Sequence, residues 1–315
     1  MDGIDRRRPG EGSRMGMPAH VVIVVLSWNG RDDTMNCLRS LSVVDYTSLG
    51  VVVVDNGSTD GTAEAVQAGF PDVDLVRCPQ NLGFADGNNV GIRRALELGA
   101  DAVLVLNNDV EVEPGLVKPL LEELDRRPHA AAVCPKILFF EPRDRIWFVG
   151  ATVDLRRGLG RHLRFRELDD LAETEVVESD RACGAAMLVT RAAIAEVGLF
   201  DSELFIYAED TDWSLRARSL GWRHYVVPTS RIYHRVSASS GGALTPTPLY
   251  YVTRNTLVVC ERWAPLGRIG TWKRRALVVG ASVWRAAASP DRADALRAVR
   301  DGWRDFRRGR LGSRE

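Results

Sequence analysis

The stretch VVIVVLSWNGRDDTMNCLRSL, residues 21–41, joins an unbroken aliphatic run to a polar turn and then to Thr34, Cys37, Leu38 and Leu41 at helical spacing. It reads as strand, loop and helix, because an apolar run without alternation suits a strand buried on both faces. The same order returns three times. Val51 to Val54 precede DNGSTDG, where Ser58 to Asp60 can cap a helix running to Gly69. Val73 to Val76 precede the loop CPQNLGFADGNN and a helix carrying Ile92, Ala95, Leu96 and Gly99 on one face. Ala102 to Leu106 end at NNDVEVEPG. Buried strands alternating with amphipathic helices predict an α/β fold: a Rossmann-like, mostly parallel sheet flanked by helices, with ligands gathering at the carboxyl ends of the strands. Each polar cluster quoted sits at such an end.

After Pro114 the rhythm loosens. A helix to Arg127, strand-like stretches over 131–138 and 146–155, and a charged loop through Glu173 follow. From Glu209 a helix with Trp213, Ala217 and Leu220 leads into strand-like 222–227 and 231–236, and SASSGGALTPTP reads as a flexible loop. The expected organisation is a disordered tail over 1–18, a main domain over 19–245 and a helical basic extension over 246–315. The main domain divides at about residue 115 into a nucleotide half and an acceptor half. In the last helix Leu296, Val299, Trp303 and Phe306 form an apolar stripe that either enters a membrane interface or packs on the core.

With 315 residues, 45% hydrophobic and 27% charged, the chain is long enough to bury a sizeable core and lacks any disordered or collagen-like bias. Basic and acidic residues balance at 42 each, but from Glu261 onward fourteen basic residues face six acidic ones. The tail is basic and the body acidic; no nucleic-acid partner is expected. The five cysteines are scattered without metal-type spacing, and residues 1–18 have no apolar signal segment, so a cytoplasmic location is expected.

Two acidic clusters carry chemistry. Asn107-Asn108-Asp109 leaves the fourth strand, and a carboxylate there can help hold Mg2+ or Mn2+ beside a diphosphate. Glu209-Asp210-Thr211-Asp212 opens a helix behind Phe205 and Tyr207, aromatics suited to stacking on sugars and desolvating a base. Each has a plainer explanation, as a turn acid and as acids at a helix N-terminus.

The ordered set SWNGRDD, VVVVDNGSTDGT, NLGFADGNN, LVLNNDVEVEPG, GAAMLVTRAAIAEVGLFDSELFIYAEDTDWSLRARSLGW and IYH resembles glycosyltransferase family 2, inverting enzymes with the GT-A fold. The resemblance covers about residues 21–240. It implies that Ser27, Asn29 and Asp55 line the nucleobase and ribose pocket, with Asp86 and Asn88 nearby, and that Asn108 and Asp109 border the diphosphate. It also implies Asp210 as catalytic base with Glu209 as second choice, His234 beside Asp109 at the metal, and Trp213 and Arg216 as supports of the base-bearing helix. The family's DxD begins here with Asn107, a variation of the rhamnosyltransferase-like branch that leaves Asp109 as the main carboxylate ligand. The implied donor is a nucleotide-sugar, dTDP-L-rhamnose first and UDP-sugars second. The acceptor is a glycan or polyprenyl-diphosphate-linked saccharide, and the basic C-terminal helices suggest peripheral membrane contact.

Three rivals are weaker. A sugar nucleotidyltransferase calls for a glycine-rich loop with a basic residue where SWNGRDD stands, and a dinucleotide-dependent dehydrogenase for G-x-G-x-x-G. A non-catalytic sugar- or nucleotide-binding module of the same fold usually lacks the acids, yet Asp55, Asp109, Glu209 and Asp210 are all present.

Overall fold

A computed structural model describes residues 19–235 and 244–314. The expected tail over 1–18 and most of the loop over 237–248 lie outside the described residues. Four parallel strands, β1 (Val21–Ser27), β2 (Leu49–Asp55), β3 (Asp74–Arg77) and β4 (Ala102–Asn107), alternate with helices α1 (Arg31–Leu41), α2 (Thr62–Gly69) and α3 (Gly83–Glu97). β1 is central, paired with β2 and β4, and Val21 to Val25 are buried on both faces of the sheet, which is why its aliphatic run does not alternate. Thr34, Cys37, Leu38 and Leu41 are the buried face of α1, as their spacing predicts.

The loop assigned to residues 78–89 is half helix. α3 begins at Gly83, whose φ of +81° places it in the left-handed region and whose missing side chain admits Phe205; an added Cβ would fall 2.5 Å from that ring. Gly91 likewise lets α3 lie against β1, because a Cβ there would stand 2.3 Å from Val24. Gly99 lies past the helix end and is exposed, off the buried face.

The sheet has ten strands. Beyond β4 it continues through β5 (Val110–Val112), β6 (Ala130–Phe139), β7 (Ile146–Phe148), β10 (Val177–Ser179), β11 (Ala186–Thr190) and β12 (Arg223–His234), while β8 (Ala151–Asp154) and β9 (Leu159–His162) form a separate hairpin. β11 runs antiparallel between β4 and β6, and β12 runs parallel to β6. The two stretches expected over 222–227 and 231–236 are thus one strand with an irregularity between Val227 and Arg231. Helices α4 (Val117–Arg126), α5 (Arg191–Val197) and α6 (Glu209–Ser219) complete the layers.

Three helices follow: α7 (Pro246–Trp263), α8 (Arg268–Ala287) and α9 (Arg292–Arg308). The stripe expected on α9 divides: Val299 is buried, Trp303 and Phe306 are half-buried and Leu296 is exposed. The packed face is instead Ala295, Ala298, Val299 and Gly302, small residues that let α9 approach the backbone of α7 at Tyr250. No described helix is long and apolar enough to cross a membrane. All five cysteines are free thiols.

Candidate functional site

The polar ends of β1, β2 and β4 meet at one edge of the sheet. Ser27 is buried at the end of β1, its hydroxyl 2.7 Å from Thr34 Oγ1. Asn108 joins them, donating from Nδ2 to Thr34 Oγ1 at 3.0 Å and to the Gly30 carbonyl at 3.4 Å. Asn29, exposed and at φ 49°, clasps the next loop: its N–H donates to Ser58 Oγ and its Oδ1 accepts from Thr59 N. Ser58 N in turn donates to Asp55 Oδ1 at 3.2 Å. On α3, Asp86 is half-buried, while Asn88 is fully buried and donates to the Phe84 carbonyl.

A cavity of about 480 Å³ brings Asp109, His234, Glu209 and Asp210 together, with Trp147, His162 and Arg181 in its wall. Ser27, Asn29, Asp55, Asp86, Asn88 and Asn108 are not part of that wall.

Asp109 and His234 meet because β5, just after Asp109, pairs antiparallel with the end of β12, and Arg235 N donates to the Asp109 carbonyl. Asp109 Oδ1 lies 3.1 Å from His234 Nε2, an ion-pair distance, yet the buried oxygen accepts no hydrogen bond, and His234 Nδ1 has no hydrogen-bond partner either. Burial, and then the charge of Asp109, raise the Asp33 carboxyl above its ordinary value, against the opposing charge of Arg235. A divalent cation fits this donor set, since carboxylate oxygen and imidazole nitrogen are ordinary ligands. Among the described residues no third His, Cys, Asp or Glu joins them, so substrate oxygens and water would complete the shell.

The Glu209-Asp210 end is organised differently. Asp210 Oδ2 accepts from Arg181 Nη1 at 2.7 Å and from Gly184 N at 3.2 Å, and Oδ1 accepts from Thr211 Oγ1. Arg181 also meets His162 Nε2 at 2.8 Å, and His162 Nδ1 lies 2.8 Å from the Trp147 carbonyl. Burial, and then the Arg181 charge, holds His162 down to about 4. The ring is therefore neutral near pH 7, with Nδ1–H donating to Trp147 and Nε2 accepting from Arg181. Glu209 is buried, its Oε2 has no hydrogen-bond partner, and burial together with the Asp210 charge pushes its carboxyl up to about 8. Asp210 thus faces a guanidinium, while Glu209 beside it holds its proton at neutral pH.

The loop leading to this pair is strained. Phe205, Tyr207 and Ala208 all have φ between 64° and 70°. α7 holds it: Asn255 Nδ2 donates to the carbonyls of Leu204, Ile206 and Tyr207 at 2.7–2.9 Å, and buried Arg254 donates to Leu204. Phe205, expected to stack on sugar, instead stacks on Tyr251 with ring centroids 5.3 Å apart, whereas Tyr207 borders the cavity. Trp213 Nε1 donates to the Gly198 carbonyl and Arg216 to those of Val197 and Leu199, anchoring α6 to the end of α5 and the residues after it. Asp212 accepts from Arg262 and Trp263 at the far end of α7.

Arg181, His162, Arg254 and Asn255 were not singled out in the sequence. For the last two a signal exists: TRN, residues 253–255, is a polar interruption in the apolar run LYYVTRNTLVV. For Arg181 and His162 there is none, since both act through pairings across many residues.

Residues 22–193 match the family model described as glycosyl transferase family 2. The chain is 30% identical over 239 residues, 70% of its length and 77% of the relative's, to the N-acetylglucosaminyl-diphospho-decaprenol L-rhamnosyltransferase of Mycobacterium tuberculosis. It is 25% identical to the dTDP-rhamnosyl transferase RfbF of Shigella flexneri, covering 78% of this chain and 81% of that one. Among solved structures, GalNAc-T7 with UDP, GalNAc and Mn2+ shares the fold with a TM-score of 0.62 at 17% identity, over 92% of this chain and 56% of that one. Motif order, a GT-A arrangement of strands and acids, and these matches agree: the chain belongs to glycosyltransferase family 2 and is a rhamnosyltransferase-like glycosyltransferase.

Proposed function

We propose that the chain moves L-rhamnose from dTDP-L-rhamnose to a hydroxyl of a polyprenyl-diphosphate-linked saccharide, with inversion at the anomeric carbon. The names of the two rhamnosyltransferases support the donor and, for the mycobacterial relative, the lipid-linked acceptor. The observation that carries the chemistry is the single cavity shared by the Asp109–His234 pair and the Glu209–Asp210 pair.

Asp210 is the base in this reading. A sugar hydroxyl becomes a competent nucleophile when a positioned carboxylate takes its proton as the new bond forms. Arg181 and Gly184 N–H both donate to Asp210 Oδ2 and fix the orientation of its carboxyl group. Glu209, protonated near pH 7, adds no second negative charge where the diphosphate arrives. The acceptor oxygen attacks the anomeric carbon opposite the leaving diphosphate, so one displacement suffices and no covalent sugar intermediate forms. Asp109 and His234 would hold Mg2+ or Mn2+, which when bound neutralises charge developing on that diphosphate. Ser27, Asn29, Asp55, Asp86, Asn88 and Asn108 stand on the nucleotide side, and residues 19–245 with a helical extension over 246–315 form the working unit. A cytoplasmic site of action at the inner face of the cell membrane fits a lipid-linked acceptor.

The test is transfer to a synthetic prenyl-diphosphate saccharide with dTDP-L-rhamnose, UDP-sugars and GDP-sugars in parallel. Release of dTDP with formation of the opposite anomer is expected from the first donor; product from a UDP-sugar alone would overturn the donor assignment.

A further inference from the structure

The polarity of α8 is inverted. The side it turns to the protein carries Arg274, 1% exposed, and Ser282 beside Val278 and Ala286. Buried Arg274 donates from Nη1 to the Ala264 carbonyl at 2.6 Å and the Leu155 carbonyl at 3.3 Å, while its Nε has no hydrogen-bond partner. The side turned to solvent carries Ile269, Trp272, Leu277, Val283 and Trp284, between 41% and 76% exposed. At about 100° per residue these five fall within an arc of roughly 140°, filled in by Ala276, Gly280 and Ala287. An arginine is thus spent inside while two tryptophans stand in water, and a contiguous apolar patch of this kind marks a surface with a partner.

We infer that this face of α8 is a membrane-docking surface for a leaflet containing anionic phospholipid. The inference deepens the proposed lipid-linked acceptor, and rests on it only for the reason the enzyme should be at a membrane. Charge chooses the partner. α8 contains five basic and no acidic residues; exposed Arg268 flanks the apolar arc and exposed Lys273 falls inside it, near its N-terminal end. A cavity of about 670 Å³ between α8 and α9 runs into the same face, and its wall includes Arg268, Trp272, Trp303 and Arg307, together with Arg275, which is paired with Glu261 at 2.6 Å. Guanidinium groups beside tryptophan rings suit lipid phosphates at the level where indole rings settle. A protein partner would offer both signs of charge, whereas a surface of cations around an apolar arc matches an anionic interface. α8 is 20 residues long and no described helix can span a bilayer, so it would lie in the interface plane. The geometry joins this surface to the reaction. α8 packs on α7, and Val252, Thr256 and Val259 of α7 line the catalytic cavity.

The test is sedimentation of the full chain with vesicles of phosphatidylcholine alone or mixed with phosphatidylglycerol, at low and high salt. The expected result is pelleting with the mixed vesicles, weakened by salt, with a blue shift of tryptophan fluorescence. Trp272→Ser with Trp284→Ser should lower partitioning by about tenfold or more, each indole contributing buried apolar area. Both residues are exposed, so the variant should keep its thermal midpoint and its transfer to a water-soluble acceptor. Wild-type protein remaining in the supernatant with both vesicles overturns the inference, as does pelleting that the double variant retains in full. A dimer that the double substitution splits, without vesicle binding, assigns the face to a second copy instead. Vesicle binding without rhamnosyl transfer would leave the surface standing and overturn the donor reading; transfer without vesicle binding would do the reverse.

Discussion

Asp109 and Asp210 border one cavity but are supplied with charge in opposite ways. Asp109 faces a histidine nitrogen at 3.1 Å, with a buried oxygen that accepts no hydrogen bond. Asp210 has a guanidinium at 2.7 Å, a backbone N–H and a threonine hydroxyl. On the proposed reading a cation arriving with substrate would complete the first arrangement, whereas the second is finished on folding. This division suits an inverting transferase: the leaving group brings charge that must be met on binding, while the base must be in place beforehand.

The largest effect expected from breaking the second arrangement is at the base itself. Asp210→Asn preserves size and hydrogen bonding but accepts no proton, so turnover should fall about 10²–10⁴-fold with donor affinity little changed. Turnover that survives in Asp210→Asn and collapses in Glu209→Gln, with both variants binding donor, would move the base to Glu209.

A smaller loss is expected where the loop is held. Asn255→Ala removes the side-chain donor to the Ile206 and Tyr207 carbonyls and one of the donors to Leu204, at a cost of about 1–3 kcal/mol. Displacement of the pair that follows should lower kcat roughly 10–100-fold. The thermal midpoint should fall as well, and an unchanged midpoint with unchanged kcat would show that α7 does not position the loop.

The smallest effect is in the pH profile. As pH rises through about 8, Glu209 ionises beside Asp210, and the added charge should depress turnover about tenfold by pH 9. Glu209→Gln should flatten that alkaline limb. Stability follows the same group. Below its unfolded value near 4.5 both states hold the proton; between there and about 8 only the folded state does, so stability declines as pH rises. Relative to wild type, Glu209→Gln should therefore gain a few degrees of thermal midpoint at pH 8 and nothing at pH 4.

The two clusters also differ in how far the sequence revealed them. The Asp109 end lies where β4 leaves the sheet, and buried aliphatic runs mark such points without tertiary information. Local periodicity yields β1 to β4 for the same reason, whereas the start of α3 inside the glycine-containing stretch over 78–89 is set by contact with Phe205. Strand order beyond β4 is not local: β11 inserts antiparallel between β4 and β6, and β12 brings His234 back beside Asp109 across more than a hundred residues. The partners of Asp210 are of that kind. Arg181 sits 29 residues upstream, and Asn255 reaches the loop from a helix that reads simply as part of a basic extension. Amphipathicity alone does not say which side of α8 faces the protein, so its inverted face is not legible in the sequence.

The contrast between the two acids is tested most directly by titrating Mn2+ and dTDP together into wild type, Asp109→Ala and Asp210→Asn in a calorimeter. The account predicts that Asp210→Asn binds the metal and nucleotide as wild type does while Asp109→Ala loses both. Unchanged manganese-dependent nucleotide binding in Asp109→Ala, or its loss in Asp210→Asn, would contradict it.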